Sequence, residues 1–144
     1  MSPSLSAVSS FDPERVLQLL EADNYADGLG VELVAVTPEQ ITVALDVTEE
    51  HVNFLGVGHG GMVFSLADCA FSLASNSAGD DAVAIDTHLV LTAASRPGDR
   101  LEATVRESSR GRTLGTYRAE VSRAGDGRIV GLFTGTVFIS DGSG

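Results

Sequence analysis

Asp68 is the residue whose surroundings point most directly to chemistry. From His51 to Gly79 it is the only aspartate, glutamate, lysine or arginine, and the residues around it are apolar or small. Burying an ionised carboxylate costs several kcal/mol unless the group is paired or has a task. A carboxylate kept in such surroundings can serve as a general base or as a nucleophile. We therefore predict that Asp68 is functional.

A second feature lies directly before the apolar stretch. His59, Gly60 and Gly61 stand at its start, and the two glycines leave backbone N–H groups accessible. The run that follows is apolar or small on every side, which is typical of a buried helix. The sequence thus predicts a helix over about residues 60–77, with exposed N–H groups at its start and Asp68 near its middle.

The elements around this helix follow from period and turn signals. Asp12 and Pro13 predict the start of a helix that ends near Asp23. Apolar residues alternate with polar ones in several segments, the period of half-buried strands. Strands are predicted over about 31–36, 41–47, 82–93, 101–105, 117–121 and 129–139. Gly28 and Gly30 are expected to break the chain before the first strand. Two strands, one buried helix and four strands predict an α+β fold, with an antiparallel sheet wrapped around the helix.

The stretch from Asn53 to Asp68 reads NFLGVGHGGMVFSLAD. It resembles the signature of hotdog-fold acyl-CoA thioesterases of the phenylacetic-acid-degradation (PaaI) type. That pattern is an asparagine, a His-Gly-Gly beginning six residues later, and a helix carrying Phe-x-Leu-Ala-Asp. The later strands fit as well, so the resemblance covers roughly residues 30–140. Residues 1–10 are rich in serine and are predicted to be a flexible N-terminus. The length of the chain predicts one domain, so residues 11–144 are expected to form a single hotdog domain.

The resemblance assigns catalytic roles to four positions. Asp68 matches the acid that attacks the thioester or activates water. Gly60 matches the glycine whose N–H binds the thioester oxygen. Asn53 matches an amide near the reacting carbonyl and the water, and His59 lies beside Gly60. Two non-catalytic interpretations stay open: that His59 only shapes the turn, and that Asn53 only caps the loop.

The sequence indicates the substrate-binding residues less clearly than the catalytic residues. Gly61 is expected to contact the substrate, and Ser72, one turn after Asp68, matches a position where some hotdog thioesterases keep a hydroxyl. Arg106 and Arg118 delimit a cluster of four arginines in an acidic chain, which could hold a phosphorylated ligand or be a solvated hairpin rim. The segment expected to hold the phosphates of coenzyme A is Arg110, Gly111, Arg112 and Thr113.

The spacing of Gly60 and Asp68 has a consequence for assembly. Eight residues along a helix correspond to about 12 Å, so one carbonyl cannot lie within about 3 Å of both groups of one chain. If both groups act, they come from different subunits. We therefore predict a homodimer with two shared sites, and the resemblance implies a homotetramer.

Composition limits the partners, the location and the cofactors that we expect for this protein. The formal net charge is −11, which argues against nucleic acid or an anionic membrane surface as a partner. The sequence shows no secretory signal or membrane span, and its single cysteine, Cys69, is expected to pack as a small buried residue in a cytoplasmic protein. The three histidines lack metal-ligand spacing. We expect no cofactor, since coenzyme A is part of the substrate.

The predicted function is hydrolysis of an aromatic, phenylacetyl-type acyl-CoA, in phenylacetate catabolism. Phe64, Phe71 and Leu89 are among the dispersed residues expected to form the acyl pocket. Two alternatives stay open: a non-catalytic acyl-CoA sensor, and a hotdog dehydratase or hydratase acting on acyl thioesters. A glycine-rich dinucleotide loop at residues 56–61 is rejected, because no buried strand precedes it and no βαβ unit follows.

Overall fold

The computed structural model describes residues 11–140, so the predicted flexible N-terminus (1–10) and residues 141–144 lie outside the described range. Three α-helices and six strands make up the described part. The helices are α1 (Pro13–Ala22), α2 (Asn24–Leu29) and α3 (Gly60–Asn76), and a short 3-10 turn spans Glu49–His51. The strands are β1 (Glu32–Val36), β2 (Ile41–Asp46), β3 (Ala82–Leu91), β4 (Arg100–Arg110), β5 (Leu114–Arg123) and β6 (Ile129–Ile139).

All six strands join one antiparallel sheet in the order β1-β2-β4-β5-β6-β3. The predicted succession of two strands, a long helix and four strands is confirmed, as is the hotdog fold. The order places β3 at one edge, next to β6, although β3 follows the long helix in sequence. The edge strand matters for the site, because its last residue, Leu91, reaches the start of α3.

Helix α3 packs across the sheet and forms the centre of the core. Its Phe71 is only 1% exposed and lies against the rings of Tyr117 and Phe133, with centroid distances of 5.7 and 5.4 Å. Gly135 of β6 makes room for this ring, since a Cβ there would come within 2.7 Å of Phe71. Phe71 is therefore a core residue, and its place in an acyl pocket stays a prediction.

The N-terminal helices pack against α3. The side chain of Asp12 caps α1 by accepting from the N–H of Glu14 (3.0 Å), as the Asp-Pro pair predicted. Helix α2 was not predicted, because Gly28 was interpreted as a break and instead lies inside it. Gly30, with φ of 80°, ends α2 in the left-handed conformation. The chain therefore turns back over α3 before β1 begins.

One face of α3 is not covered by the other residues of the range 11–140. Gly61 and Ser72 are exposed, and Ser65 and Asp68 are half-buried. The helix is thus not wrapped on every side, and Asp68 is half-buried where full burial was predicted. The uncovered face carries small and polar residues together with the carboxylate. No helix within residues 11–140 is long and apolar enough to span a bilayer.

Candidate active site

The loop before α3 is held by backbone bonds that fix its path. The N–H of Gly58 donates to the carbonyl of Ser95 (2.7 Å), and the N–H of His59 donates to the carbonyl of His51 (2.8 Å). Gly58 has no space for a side chain, because a Cβ there would collide with the Ser95 hydroxyl. The loop therefore holds His59 and the first residue of α3 in a fixed position.

Asn53 is oriented by the same loop. Its Oδ1 accepts from the N–H groups of Leu55 (2.9 Å) and Val57 (3.4 Å), while its own N–H donates to the Val57 carbonyl (2.8 Å). Within residues 11–140 its Nδ2 has no acceptor. The side chain thus caps the loop through its oxygen and keeps its amide N–H groups available for a ligand oxygen.

His59 is the N-cap of α3. Its Nδ1 accepts from the N–H of Gly61 at 2.8 Å, so that nitrogen carries no proton in this arrangement. This bond also engages the N–H of Gly61, the residue that is predicted from the sequence to contact the substrate. The geometry accounts for His59 as the residue that shapes the turn, with its Nε2 left towards solvent.

Gly60 supplies the free donor at the start of the helix. The N–H of Gly61 is bonded to His59 Nδ1, and those of Met62 and Val63 donate to the His59 carbonyl. The Gly60 N–H has no acceptor in the part of the chain that the structure describes. The partial positive charge of the helix start falls on this group, which suits it to a developing oxyanion.

Asp68 lies two turns further along the same helix. No hydrogen bond or ion pair to its carboxylate occurs within residues 11–140. Burial raises the pKa of the carboxyl above its usual value, and the nearby carboxylate of Asp23 raises it further. A half-buried carboxylate without internal partners is available to a substrate or a water molecule.

The neighbours of Asp68 differ in what they can do. Cys69 is buried, and burial, with Asp23 and Asp68 nearby, raises the pKa of its thiol to about 12, so it stays protonated and packs as predicted. Ser72 is exposed on the face that carries Asp68, and its carbonyl accepts from Asn76 Nδ2 (3.0 Å). The Ser72 hydroxyl has no partner within the described residues.

The four clustered arginines do not form one site. Arg110 turns inward: its NH1 donates to the Ser75 carbonyl (3.0 Å) and the Tyr117 hydroxyl (2.6 Å), which in turn donates to Glu107 (3.1 Å). This network ties β4 to the end of α3 through Arg110 NH1, while Arg110 NH2 is buried without a hydrogen-bond partner in the described residues.

The remaining arginines of the cluster lie elsewhere. Gly111, Arg112 and Thr113 form the tight β4–β5 connection, with Arg112 exposed. Arg106 and Arg118 stand opposite each other on β4 and β5 and point outward. Arg112 lies in the connection next to Arg110, which contacts the C-terminal end of α3, whereas Gly60 begins that helix.

Two residues beside Asp68 were missed from the sequence. Asp23 is the N-cap of α2, accepting from the N–H of Ala26 (3.0 Å), and Tyr25 follows it. The Tyr25 hydroxyl lies 3.0 Å from the Ser65 hydroxyl of α3. The Asp-Asn pair after α1 is a signal for a second helix start, but no local pattern indicates that this helix lies over α3.

Comparison with known families gives a direct match. The model of the thioesterase superfamily matches residues 55–130, which is more than half of the chain. The matched segment begins in the loop after Asn53 and runs through α3 to the start of β6. It therefore contains Gly60 and Asp68, the two groups whose geometry is described above.

Individual relatives agree with that family. The acyl-coenzyme A thioesterase PaaI of Escherichia coli is 33% identical over 117 residues, covering 81% of this chain and 83% of that protein. A solved structure of the E. coli PaaI protein from the phenylacetic acid degradation operon superposes with a TM-score of 0.86 at 30% identity, covering 98% of each chain.

Two further solved structures are similar over most of their length. The TT0310 protein of Thermus thermophilus has a TM-score of 0.76 and 40% identity, covering 81% of this chain and 97% of that one. The protein smu.793 of Streptococcus mutans, solved with acetyl CoA bound, has a TM-score of 0.72 and 27% identity, covering 76% and 88% of the two chains.

Proposed function

Because the chain belongs to the thioesterase superfamily, as a hotdog-fold acyl-CoA thioesterase of the PaaI type, we propose that its substrates are aromatic, phenylacetyl-type acyl-CoA thioesters. Water and the thioester give the free acid and coenzyme A. The similarity to a protein of a phenylacetic acid degradation operon supports this choice, together with a cytoplasmic role in phenylacetate catabolism.

One observation carries the assignment of the site: the same helix offers a free N–H at Gly60 and a free carboxylate at Asp68. In the proposed reaction the Gly60 N–H donates to the thioester oxygen as negative charge develops there. Asp68 acts in its ionised form, either attacking the carbonyl carbon to form an anhydride or taking a proton from the attacking water. The C–S bond then breaks, and the thiolate of coenzyme A leaves and is protonated. On the anhydride route, water then hydrolyses the anhydride, which releases the free acid and restores the Asp68 carboxylate.

The other site residues have supporting roles. Asn53 donates from Nδ2 to the attacking water or the carbonyl oxygen, and His59 holds the turn that exposes the Gly60 N–H. Ser72 lies where it can contact the substrate next to Asp68. Arg112, with Gly111 and Thr113, is proposed to meet the phosphates of coenzyme A, whereas Arg110 supports this connection from inside. The route through Asp68 and Gly60 calls for neither a metal nor a redox cofactor.

The active unit is proposed to be a homodimer joined along β3. Within residues 11–140, β6 is the strand that pairs with β3, and Val83, Ile85 and Leu91 on β3 are 53–59% exposed. An exposed apolar edge strand is a ready template for a strand of a second chain. Leu91 lies against Gly60, so a partner docked along β3 would approach the free N–H.

A homotetramer is proposed to form through the outer face of the sheet. Five large apolar side chains are 42–59% exposed on that face, namely Val83, Val90, Leu114, Leu132 and Phe138. An exposed apolar surface of this kind marks an interaction site. The β3 edge and the outer face are both apolar, so one can join two chains and the other can join two dimers. Contact between dimers through the outer face leaves the side of the sheet that carries α3 uncovered.

The function is tested by thiol release from a panel of acyl-CoAs: phenylacetyl, hydroxyphenylacetyl, benzoyl, hexanoyl and lauroyl. The wild type is compared with Asp68→Asn, which keeps the shape of the side chain and removes its charge. We expect fastest release from the phenylacetyl esters and almost none with the variant. Wild-type activity in the variant would remove Asp68 from the mechanism.

Two other outcomes would point to other functions. Binding of acyl-CoA without release would indicate a sensor. Conversion of the acyl chain with an unchanged thiol count would indicate a dehydratase or hydratase.

A further inference from the structure

Tyr25 is held over the uncovered face of α3 by its hydroxyl alone. Its side chain is 69% exposed, yet its hydroxyl lies 3.0 Å from Ser65 Oγ. The Ser65 hydroxyl donates to the carbonyl of Gly61 at 2.8 Å, so its single proton is already used. The phenol must therefore donate to Ser65. The tip of Tyr25 is fixed, while its ring remains open to a ligand.

The tethered ring lies close to the carboxylate of the site. Ser65, which holds the tip of the ring, is three residues before Asp68, and side chains three or four residues apart are neighbours on a helix surface. Helix α2 packs against α3, and Asp23, two residues before Tyr25, is near enough to help raise the pKa of the Asp68 carboxyl. Tyr25 thus borders the space that a thioester carbonyl must enter to meet Asp68.

A second aromatic ring stands on the other side of Asp68. Phe64 is four residues before it, is half-buried, and packs against Phe133 with a centroid distance of 5.8 Å. Phe64 and Ser65 are adjacent residues that flank Asp68 on the preceding turn. Tyr25 and Phe64 therefore approach the turn that precedes Asp68 from two sides, Tyr25 from α2 and Phe64 from the side of β6.

Two rings beside a reacting carbonyl suit one class of acyl group. A planar aromatic ring can stack on, or meet edge-on, the face of another ring, and such pairs gain energy beyond the area they bury. A flexible alkyl chain gains only the burial. A ring fixed at its tip also loses little conformational freedom when a ligand packs against it.

We propose that Tyr25 is a specificity-determining residue, whose ring, tethered through Ser65, forms one wall of the acyl pocket beside Asp68 and favours aromatic over straight-chain acyl groups. This inference rests on the proposed thioesterase function and names a residue that selects its substrate. Tyr25 takes no part in bond making or breaking, so its effect falls on discrimination between substrates.

The test is the ratio of kcat/KM for phenylacetyl-CoA to that for hexanoyl-CoA, measured by thiol release on the full chain. Tyr25→Ala removes the ring, Tyr25→Phe removes only the tether, and Leu17→Ala is the control, an exposed apolar residue of α1. We expect Tyr25→Ala to lower the ratio about tenfold, mainly through KM for the aromatic substrate, as the loss of one aromatic pair and its contact area implies. Tyr25→Phe should keep most of the ratio, and Leu17→Ala should leave it unchanged.

The outcomes separate this inference from the proposed function. An unchanged ratio in Tyr25→Ala, or an equal loss on both substrates, would overturn the role of Tyr25 while leaving a thioesterase in place. Absence of thiol release by the wild type would overturn the proposed function itself. Because Tyr25 is largely exposed, its variants are expected to fold, and their thermal unfolding beside the wild type checks this.

Discussion

Gly60 and Asp68 belong to one unbroken helix, and their separation of eight positions keeps the free N–H of the first about 12 Å along the helix from Asp68. Neither group has a hydrogen-bond partner within the described residues. A thioester carbonyl that contacts both must therefore bridge two copies of the chain. If both groups act on one carbonyl, this separation makes assembly a condition for catalysis.

The donor role of Gly60 can be tested without disturbing the helix. Gly60→Pro deletes the N–H at the first helical position, where proline is favoured, and His59, with φ of −66° and ψ of 137°, already has the conformation preferred before proline. We expect a loss of about 10²- to 10³-fold in kcat, as for other oxyanion donors.

The matched control is Gly60→Ala, which adds a Cβ next to Leu91 but keeps the N–H. It should retain far more activity than Gly60→Pro in the same thiol-release assay. Equal losses in the two variants would mean that the space at residue 60, and not its N–H, is what the reaction requires.

The pH dependence of hydrolysis should report the ionisation of Asp68. Its pKa is raised, chiefly by burial and further by Asp23. Since the ionised form is the active one, kcat/KM should fall as the pH drops through this raised pKa. Asp23→Asn removes a negative charge, keeps the cap of α2, and should move the acid limb to lower pH. Asp27→Asn, an exposed neighbour, should not move the limb. A limb that stays in place with Asp23→Asn would contradict the coupling.

The same carboxylate should lower the stability of the folded chain near neutral pH. Because the pKa of Asp68 is higher in the folded than in the unfolded state, its contribution to the free energy of unfolding is greatest at low pH and is lost as the pH rises through the folded-state pKa. We expect Asp68→Asn to unfold at a higher temperature than the wild type at pH 7. The difference should shrink as the pH falls. A lower Tm for the variant at pH 7 would show that the charge is compensated.

If two dimers associate through the outer face of the sheet, a charge placed on that face should give a dimer that retains its thioesterase activity. Phe138→Asp places a charge among the exposed apolar side chains of that face, and Leu17→Asp places one on α1 as a control. Light scattering should find wild-type and Leu17→Asp tetramers, and Phe138→Asp dimers with thiol release close to that of the wild type. Tetramers of the Phe138→Asp variant would exclude this face as the contact between dimers.

Much of the fold follows from patterns within short segments. The strands alternate apolar and polar residues, and the run around Phe71 is apolar enough for a buried helix, so the order of elements was predicted. The position of Asp68 on that helix follows from the same run. Family resemblance added the pairing of Asp68 with Gly60, which no local pattern contains.

The parts that were missed depend on contacts between distant segments. Gly28 lowers helix propensity, but packing against α3 supports the short helix that contains it. The inward turn of Arg110 depends on the Ser75 carbonyl and the Tyr117 hydroxyl, which are brought to it only by the folded sheet. The contact of Tyr25 with Ser65 spans forty residues of sequence.

The sequence also does not indicate that His59 is the N-cap of α3. Histidine is not among the preferred N-cap residues, which are serine, threonine, aspartate and asparagine. The catalytic role of His59 came from the family resemblance, and the alternative that His59 only shapes the turn stayed open. The structure shows its Nδ1 bonded to the N–H of Gly61, which assigns it first to the helix start.

The most direct test of the shared site is a mixture of two inactive variants. Asp68→Asn and Gly60→Pro are each expected to be nearly inactive alone. If each site joins Asp68 of one subunit to Gly60 of the other, a mixed dimer contains one intact site. Unfolding and refolding an equal mixture should then restore about a quarter of wild-type thiol release, because half of the dimers are mixed and half of their sites are intact. No recovery, with mixed dimers shown to form, would contradict a site shared between subunits.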